Sequence, residues 1–369
     1  VLTGPTGFLV PYLLAYLLAG AALLALFRRW RRPSLPRLAA GNAAVFLLLG
    51  GAVFLAGEAW FTFAHDTTDG AMVLLTSKRW MLRHWRPNRL GFRGKEPPIP
   101  AGPRGEGLEI ALLGDSFTFG QGIRRAEDRF GEVLEGILRR EGRPATVYNL
   151  GRMGWNIRDE VTALGDLLAR GARFDLVVLA FVPNDHFGQQ ELPPGYQAAV
   201  ERARNPPGWI APALDHSFFL SFLYHRITLI GNPELQGYDR MAGDLFQRRE
   251  IRERFQGVAQ ELIELCRLGG ARLAVVTFPL TIRPWEEYPL RGMHRSLARM
   301  WRLLGVPHLD LLPAWSAHPL SDLAVGPYDT HPNELANRLA AEAIAGAFFP
   351  PGVSGGAAER SPGGPGPAP

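Results

Sequence analysis

Glu109-Ile110-Ala111-Leu112-Leu113-Gly114-Asp115-Ser116-Phe117-Thr118-Phe119-Gly120-Gln121 is the stretch on which the reading of this chain turns. Ile110 to Leu113 is a short continuous apolar run, the pattern of a strand buried on both faces. Gly114 permits a tight turn and the following residues can open a helix, so Ser116 is expected at a strand-to-helix corner. A hydroxyl at such a corner lies beside backbone N–H groups that have no partner within the helix. Those groups matter because serine attack on a carbonyl creates an oxyanion, and each donor fixed around it in advance lowers the barrier by roughly 3 kcal/mol. Gly-Asp-Ser also reads as an ordinary turn and helix cap, so the choice rests on what stands elsewhere in the chain.

Working outward, strand-like and helix-like patterns alternate. A helix is expected near 127–141, a strand at 146–150, a helix at 158–170, a strand at 176–182, a helix at 251–268, a strand at 272–278, a helix at 291–304, a strand at 307–311 and a last helix at 334–348. This alternation predicts an α/β domain at 108–349 with a mostly parallel sheet and helices on both faces. Sites in such sheets gather at the carboxyl ends of the strands. One interruption, from about 187 to 250, is rich in Pro, Gly and aromatic residues and is expected to be a cap or substrate-facing insertion. Its apolar run Phe218 to Tyr224 is expected to be the packed underside of that cap.

Upstream, 8–27 carries no charge and 43–63 carries only Glu58. Both are long enough to cross a bilayer core of about 30 Å, and Glu58 near Trp60 is expected at the interface. The first run lacks the positive segment that precedes a cleaved signal peptide. Arg28, Arg29, Arg31, Arg32 and Arg37 lie between the two spans, while 1–7 is uncharged. The positive-inside rule therefore puts the connector in the cytoplasm and the C-terminal domain outside it. The chain begins with Val1, and further helices upstream would alter this topology. The expected organisation is a membrane anchor at 1–65, a linker and lead-in at 66–107, the α/β domain, and a Gly/Pro/Ala-rich disordered tail at 350–369.

With 369 residues, 47% of them hydrophobic, the chain can bury a large core. The net charge of +5 comes from arginines scattered among acidic residues rather than striped on one face, which argues against a nucleic-acid partner. The single cysteine, Cys266, falls in a helical apolar pattern and reads as core.

Three further stretches fall at strand ends or at the start of the last helix. In Tyr148 to Asn156, Gly154 can offer its N–H to an oxyanion; in Phe181 to His186, Asn184 can offer its amide. In Tyr328-Asp329-Thr330-His331-Pro332-Asn333 a carboxylate stands two residues before an imidazole, able to fix its tautomer and stabilise the imidazolium. Each stretch also serves as an ordinary turn or cap. His308-Leu309-Asp310 repeats the spacing inside a predicted strand, and no pair of histidines has metal-ligand spacing.

In order and spacing, Gly114-Asp115-Ser116, Gly151 to Gly154, Asn184-Asp185 and Asp329-Thr330-His331 resemble the four marker blocks of the SGNH (GDSL-type) hydrolase superfamily. Leu90-Gly91-Phe92-Arg93-Gly94 resembles a lead-in of its bacterial membrane-linked members, and the likeness covers roughly 88–348. The resemblance implies a flavodoxin-like three-layer α/β/α domain with Ser116 as nucleophile, His331 and Asp329 completing a triad, and the Ser116 N–H, Gly154 N–H and Asn184 side chain as oxyanion hole. It implies no metal and no organic cofactor. Many soluble esterases of the superfamily have two residues between Asp and His; the single Thr330 here is similar to members acting on exported polysaccharides. The expected activity is that of a membrane-anchored serine esterase or O-acyltransferase acting on O-acyl, chiefly O-acetyl, groups of extracytoplasmic carbohydrate. It would sit in the bacterial cytoplasmic membrane with its catalytic domain outside, in contact with bilayer lipid and with envelope polysaccharide assembly proteins. A lipase or lysophospholipase, and a catalytically idle scaffold in a glycan assembly complex, are the competing expectations.

Overall fold

A computed structural model of the chain describes residues 6–29, 34–70, 73–100, 107–230 and 232–350, which divide into two compact units. The larger comprises Arg86–Gly188, Asp239–Val325 and Thr330–Pro369; the smaller comprises Val1–Trp85, Gln189–Tyr238 and Gly326–Asp329.

In the larger unit the apolar runs form strands β1 (Leu108–Gly114), β2 (Ala145–Asn149), β3 (Leu176–Phe181), β4 (Arg272–Thr277) and β5 (His308–Asp310). All pairings are parallel, in the order β2-β1-β3-β4-β5. The chain leaves β1 toward one edge and returns to pair β3 on the other side, so the strand order reverses at β1, where α/β sheets open their ligand crevice. Register sets Leu112 opposite Asn149 and Gly114 opposite Ala180. The residues that follow β1, β2 and β3 therefore emerge at one level of the sheet.

Helix Phe130–Arg140 packs with Glu334–Phe348, and Ile157–Ala169 with Arg249–Gly269, giving the helical layers of an α/β/α fold. Phe130, Leu134 and Leu138 are fully buried at i, i+4 spacing on the first of these, each worth about 2 kcal/mol of transfer free energy. Cys266 is buried in the helix Arg249–Gly269. Two boundaries differ from the sequence pattern for identifiable reasons. The 127–141 helix starts late because Ala126–Asp128 forms a separate 3-10 turn. The β3 strand stops at Phe181 because the Val182 N–H donates to Asp185 Oδ2 at 2.5 Å instead of continuing the ladder.

The smaller unit begins with two apolar helices, Thr6–Arg29 and Leu35–Ala59, the second running into a π turn at Trp60–Ala64. Both are long and apolar enough to cross a membrane. They touch through Tyr12 and Phe54, edge to face at 5.7 Å, and through Gly51, whose hydrogen lets the Tyr16 ring close in. Arg28 and Arg29 end the first helix and Arg37 opens the second.

Two expectations are revised here. The segment 66–107 is not wholly linker: Leu75–His84 is helical, with Leu74, Leu75 and Trp80 buried. Of the insertion expected at about 187–250 as a cap or substrate-facing part of the α/β domain, Gln189–Tyr238 groups with the apolar helices and the remainder with the larger unit. They form helices Pro194–Arg204, Ala211–His216 and Phe218–Ile230. Phe218 packs with Phe61 and Leu75, flanked by Phe219 and Phe222. Glu58 is buried by protein and caps the helix Phe218–Ile230. Its carboxylate accepts from the Ser217 hydroxyl at 2.6 Å, Phe218 N–H at 2.9 Å and Phe219 N–H at 3.0 Å, placing negative charge where a helix leaves its first N–H groups unpaired. Expectations for residues 1–5, the connector at 30–33, the linker at 101–106 and the tail at 351–369 lie outside the described residues.

Candidate active site

The corner after β1 is shaped by exclusion. A Cβ on Gly114 would fall 2.0 Å from Thr118 Oγ1 and 3.0 Å from Ala180 O, so only glycine lets the chain turn there. Asp115 then caps the one-turn helix Ser116–Phe119, its Oδ1 accepting the Phe117 N–H at 2.8 Å, and Gly120 ends that turn at φ 75°. Ser116 thus stands at the first helical position. Its Oγ is 3.0 Å from His331 Nε2, although 215 residues separate the two. His331 lies on the short strand Asp329–Pro332, its ring edge-on to Phe117 at 5.6 Å.

Asp115 Oδ2 accepts from the Asn184 amide at 3.3 Å and lies 3.4 Å from Ser116 Oγ. An amide nitrogen carries two hydrogens, so this contact orients Asn184 and leaves it a second donor. Gly154 is exposed in the loop after β2 at φ 76°, with open space where a Cβ would be. Asp329 is buried and accepts the Thr68 hydroxyl within the smaller unit; Thr330 alone separates it from His331 in the chain.

Other residues, with no functional signature in the sequence, support this corner. Buried Asn149, at the end of β2, donates to Thr118 O at 2.6 Å and accepts from the Gly151 N–H at 3.1 Å. Arg93 is buried and donates to Gly120 O and Ile123 O, both at 2.7 Å. Buried Arg129 donates to Arg93 O and, at 3.3 Å, to Phe119 O, and pairs with Glu132. Burial and the neighbouring Arg129 charge hold Arg93 down to about 10. These two guanidiniums fasten the loop that follows the serine. The only signal for Arg93 was its place in the lead-in block; for Arg129 there was none.

Burial pushes the Asp115 carboxyl up, opposed by its bonds from Phe117 and Asn184 and by the His331 charge. Glu160 and Asp185, both buried, are pushed well up by desolvation and then by the charge of Asp115. Among the described residues, neither Glu160 oxygen nor Asp185 Oδ1 has a hydrogen-bond partner. Burial of carboxyl oxygens without donors disfavours the ionised form.

The remaining histidines near the sheet do other work. Burial holds His186 down at about 3 and His308 at about 4. His308 Nε2 meets Thr277 Oγ1 at 2.9 Å, and Asp310 is engaged by His294 Nδ1 at 2.8 Å. The His308-Leu309-Asp310 repeat of the useful spacing is thus divided between two separate contacts. Among the described residues no group of three or more His, Cys, Asp or Glu could hold a metal ion.

The chain is similar to a putative lipolytic protein of the G-D-S-L family from Desulfitobacterium hafniense DCB-2, with 14% identity, 64% of this chain and 98% of that one covered, and a TM-score of 0.37. It is similar to the psychrotrophic esterase EstA from Pseudoalteromonas, with 14% identity, 65% and 96% covered, and a TM-score of 0.38. A two-domain esterase active on acetylated mannans shares 16% identity, with 66% of this chain and 49% of that one covered and a TM-score of 0.39. No curated protein sequence matches the chain. The GDSL-like Lipase/Acylhydrolase family matches residues 112–339, a span that holds Ser116, Gly154, Asn184, Asp329 and His331. Over more than half its length, then, this chain belongs to the GDSL-like lipase/acylhydrolase family of ester-hydrolysing enzymes.

Proposed function

We propose that the chain is a membrane-anchored serine esterase or O-acyltransferase acting on ester-linked acyl groups, chiefly O-acetyl, of extracytoplasmic carbohydrate. The observation that carries the reading is the 3.0 Å approach of His331 Nε2 to Ser116 Oγ at the carboxyl end of β1. In this reading Ser116 Oγ attacks the ester carbonyl carbon while His331 Nε2 takes its proton. The carbonyl oxygen becomes an oxyanion, met by the Ser116 and Gly154 N–H groups and the second hydrogen of the Asn184 amide. Collapse breaks the bond to the alcohol oxygen, which receives the proton from His331, and leaves an acyl-serine. Water or a sugar hydroxyl then gives its proton to His331 and attacks that ester, restoring Ser116. Asp329 orients the imidazole and stabilises its charged form.

The membrane part of the proposal draws on the two apolar helices and on the arginines at their facing ends, Arg28, Arg29 and Arg37. Outside the cytoplasm soluble thioester donors are scarce, which favours glycan esters as both donor and acceptor. The test uses the full chain in lipid nanodiscs. Fluorophosphonate labelling, hydrolysis of an aryl acetate and release of acetate from O-acetylated polysaccharide should all occur, and all should vanish in Ser116→Ala. A folded parent that neither labels nor turns over would leave the scaffold reading in its place.

A further inference from the structure

We infer that Thr68, in the segment after the second apolar helix, is a positioning residue that holds Asp329 in the orientation from which it serves His331. The inference rests on the proposed role of Asp329, but its geometry lies wholly within the smaller unit. Thr68 is 0% exposed and Asp329 1%, and the Thr68 hydroxyl donates to Asp329 Oδ2 across 261 residues of sequence. A hydroxyl has one hydrogen, so its direction is committed, and donation to a carboxylate is among the stronger hydrogen bonds. With Oδ2 pinned, the carboxylate plane cannot turn about its terminal torsion. Thr330 alone joins Asp329 to His331 in the chain, and in the proposed triad the orientation of the carboxylate decides which oxygen is offered to the imidazole.

The segment carrying Thr68 is itself fastened on several sides. Thr68 O accepts the Ser77 hydroxyl from the helix Leu75–His84. Asp69, at φ 52°, is held through its carboxylate by His65 Nε2 at 2.8 Å and Thr76 Oγ1 at 2.6 Å, and through its carbonyl by Arg226 Nη2 at 2.7 Å. The Arg226 guanidinium also lies 4.1 Å from the centroid of the Tyr328 ring, adjacent to Asp329. Gly70 has φ 72°, and a Cβ there would fall 2.5 Å from Tyr328 O, so the two backbones touch. Residues 68–70 and 328–329 therefore form one clamp, in which Thr68, Asp69 and Asp329 are buried.

The experiment uses the full chain in nanodiscs with an aryl acetate substrate. Thr68→Val removes the hydroxyl and keeps the branched shape; it should lower kcat roughly tenfold with KM within about twofold, as expected for loss of one charge-assisted hydrogen bond felt in the transition state. Thr68→Ser should recover most of kcat. In an Asp329→Asn background the Thr68→Val change should cost less than about twofold, because residues acting through one another are non-additive. Equal losses for Val and Ser, an effect on KM alone, or a full tenfold loss on top of Asp329→Asn would overturn the inference. If the parent shows no Ser116-dependent turnover, the hydrolase reading fails by itself, and the NMR titration of the His331 imidazole decides the Thr68 question. A midpoint moved by Val and restored by Ser supports it, and a midpoint unmoved by Val overturns it.

Discussion

The corner at Ser116 and the clamp at Asp329 are both built from buried polar groups, yet they are assembled in opposite ways. Around Ser116 much of the geometry is local: Gly114 turns the chain, Asp115 caps the next two residues, and Gly120 closes the helical turn. Around Asp329 the contacts come from afar: Thr68 donates to its carboxylate, Gly70 meets the Tyr328 carbonyl, and Arg226 lies over the Tyr328 ring. The contrast separates the position of Ser116, set largely by contiguous sequence, from the position of the Asp329 carboxylate, set by contacts made only on folding. A second contrast lies in the carboxylates themselves. Asp329 and Glu58 are buried with donors, whereas Glu160 is buried with none among the described residues.

The sharpest way to break the first contrast is at the dyad. Ser116→Ala, His331→Ala and the double variant should each lose activity on the order of a millionfold and reach one common residual level, as residues of one unit do. Additive losses in aryl acetate hydrolysis would separate their roles. Asp329→Asn comes next, with a loss of about ten thousandfold in kcat if the carboxylate fixes the imidazole tautomer. A loss below about tenfold would demote it to a structural group and remove the purpose of the clamp. Asn184→Ala tests the local side: loss of one oxyanion donor should cost roughly a hundredfold in kcat with KM nearly unchanged. If KM alone rises, Asn184 is a substrate contact.

The smallest effect sharpens the second contrast. Because Glu160 has a raised folded-state pKa, its contribution to stability is present below the ordinary value of 4.5 and lost as pH rises, while the unfolded chain ionises freely. Glu160→Gln removes that loss. The two proteins should unfold alike near pH 4, and the variant should gain on the parent by about 1 kcal/mol per pH unit above it until Glu160 itself ionises. Chemical denaturation across that range measures the gain; a difference independent of pH would mean that Glu160 is charged in the fold.

The sequence by itself determined the α/β class, the order of the strands and helices, the two apolar helices and the corner at Ser116. Those features follow from hydrophobic period and turn chemistry, which act over a few residues and can be read without knowing what the chain meets. The cradle of Arg93 and Arg129 was hidden because most of its acceptors are main-chain carbonyls, which every residue carries and no pattern distinguishes. The helix Leu75–His84 was hidden by its brevity, since its stability comes from burying Leu75 and Trp80 rather than from its own propensity. That Ser217 and the start of the helix Phe218–Ile230 supply the donors to Glu58 could not be read from the sequence, since they stand about 160 residues away. Tertiary structure alone decided that His331 reaches Ser116 and that Thr68 reaches Asp329, because separations of 215 and 261 residues are closed only by packing, the first within the larger unit and the second within the smaller.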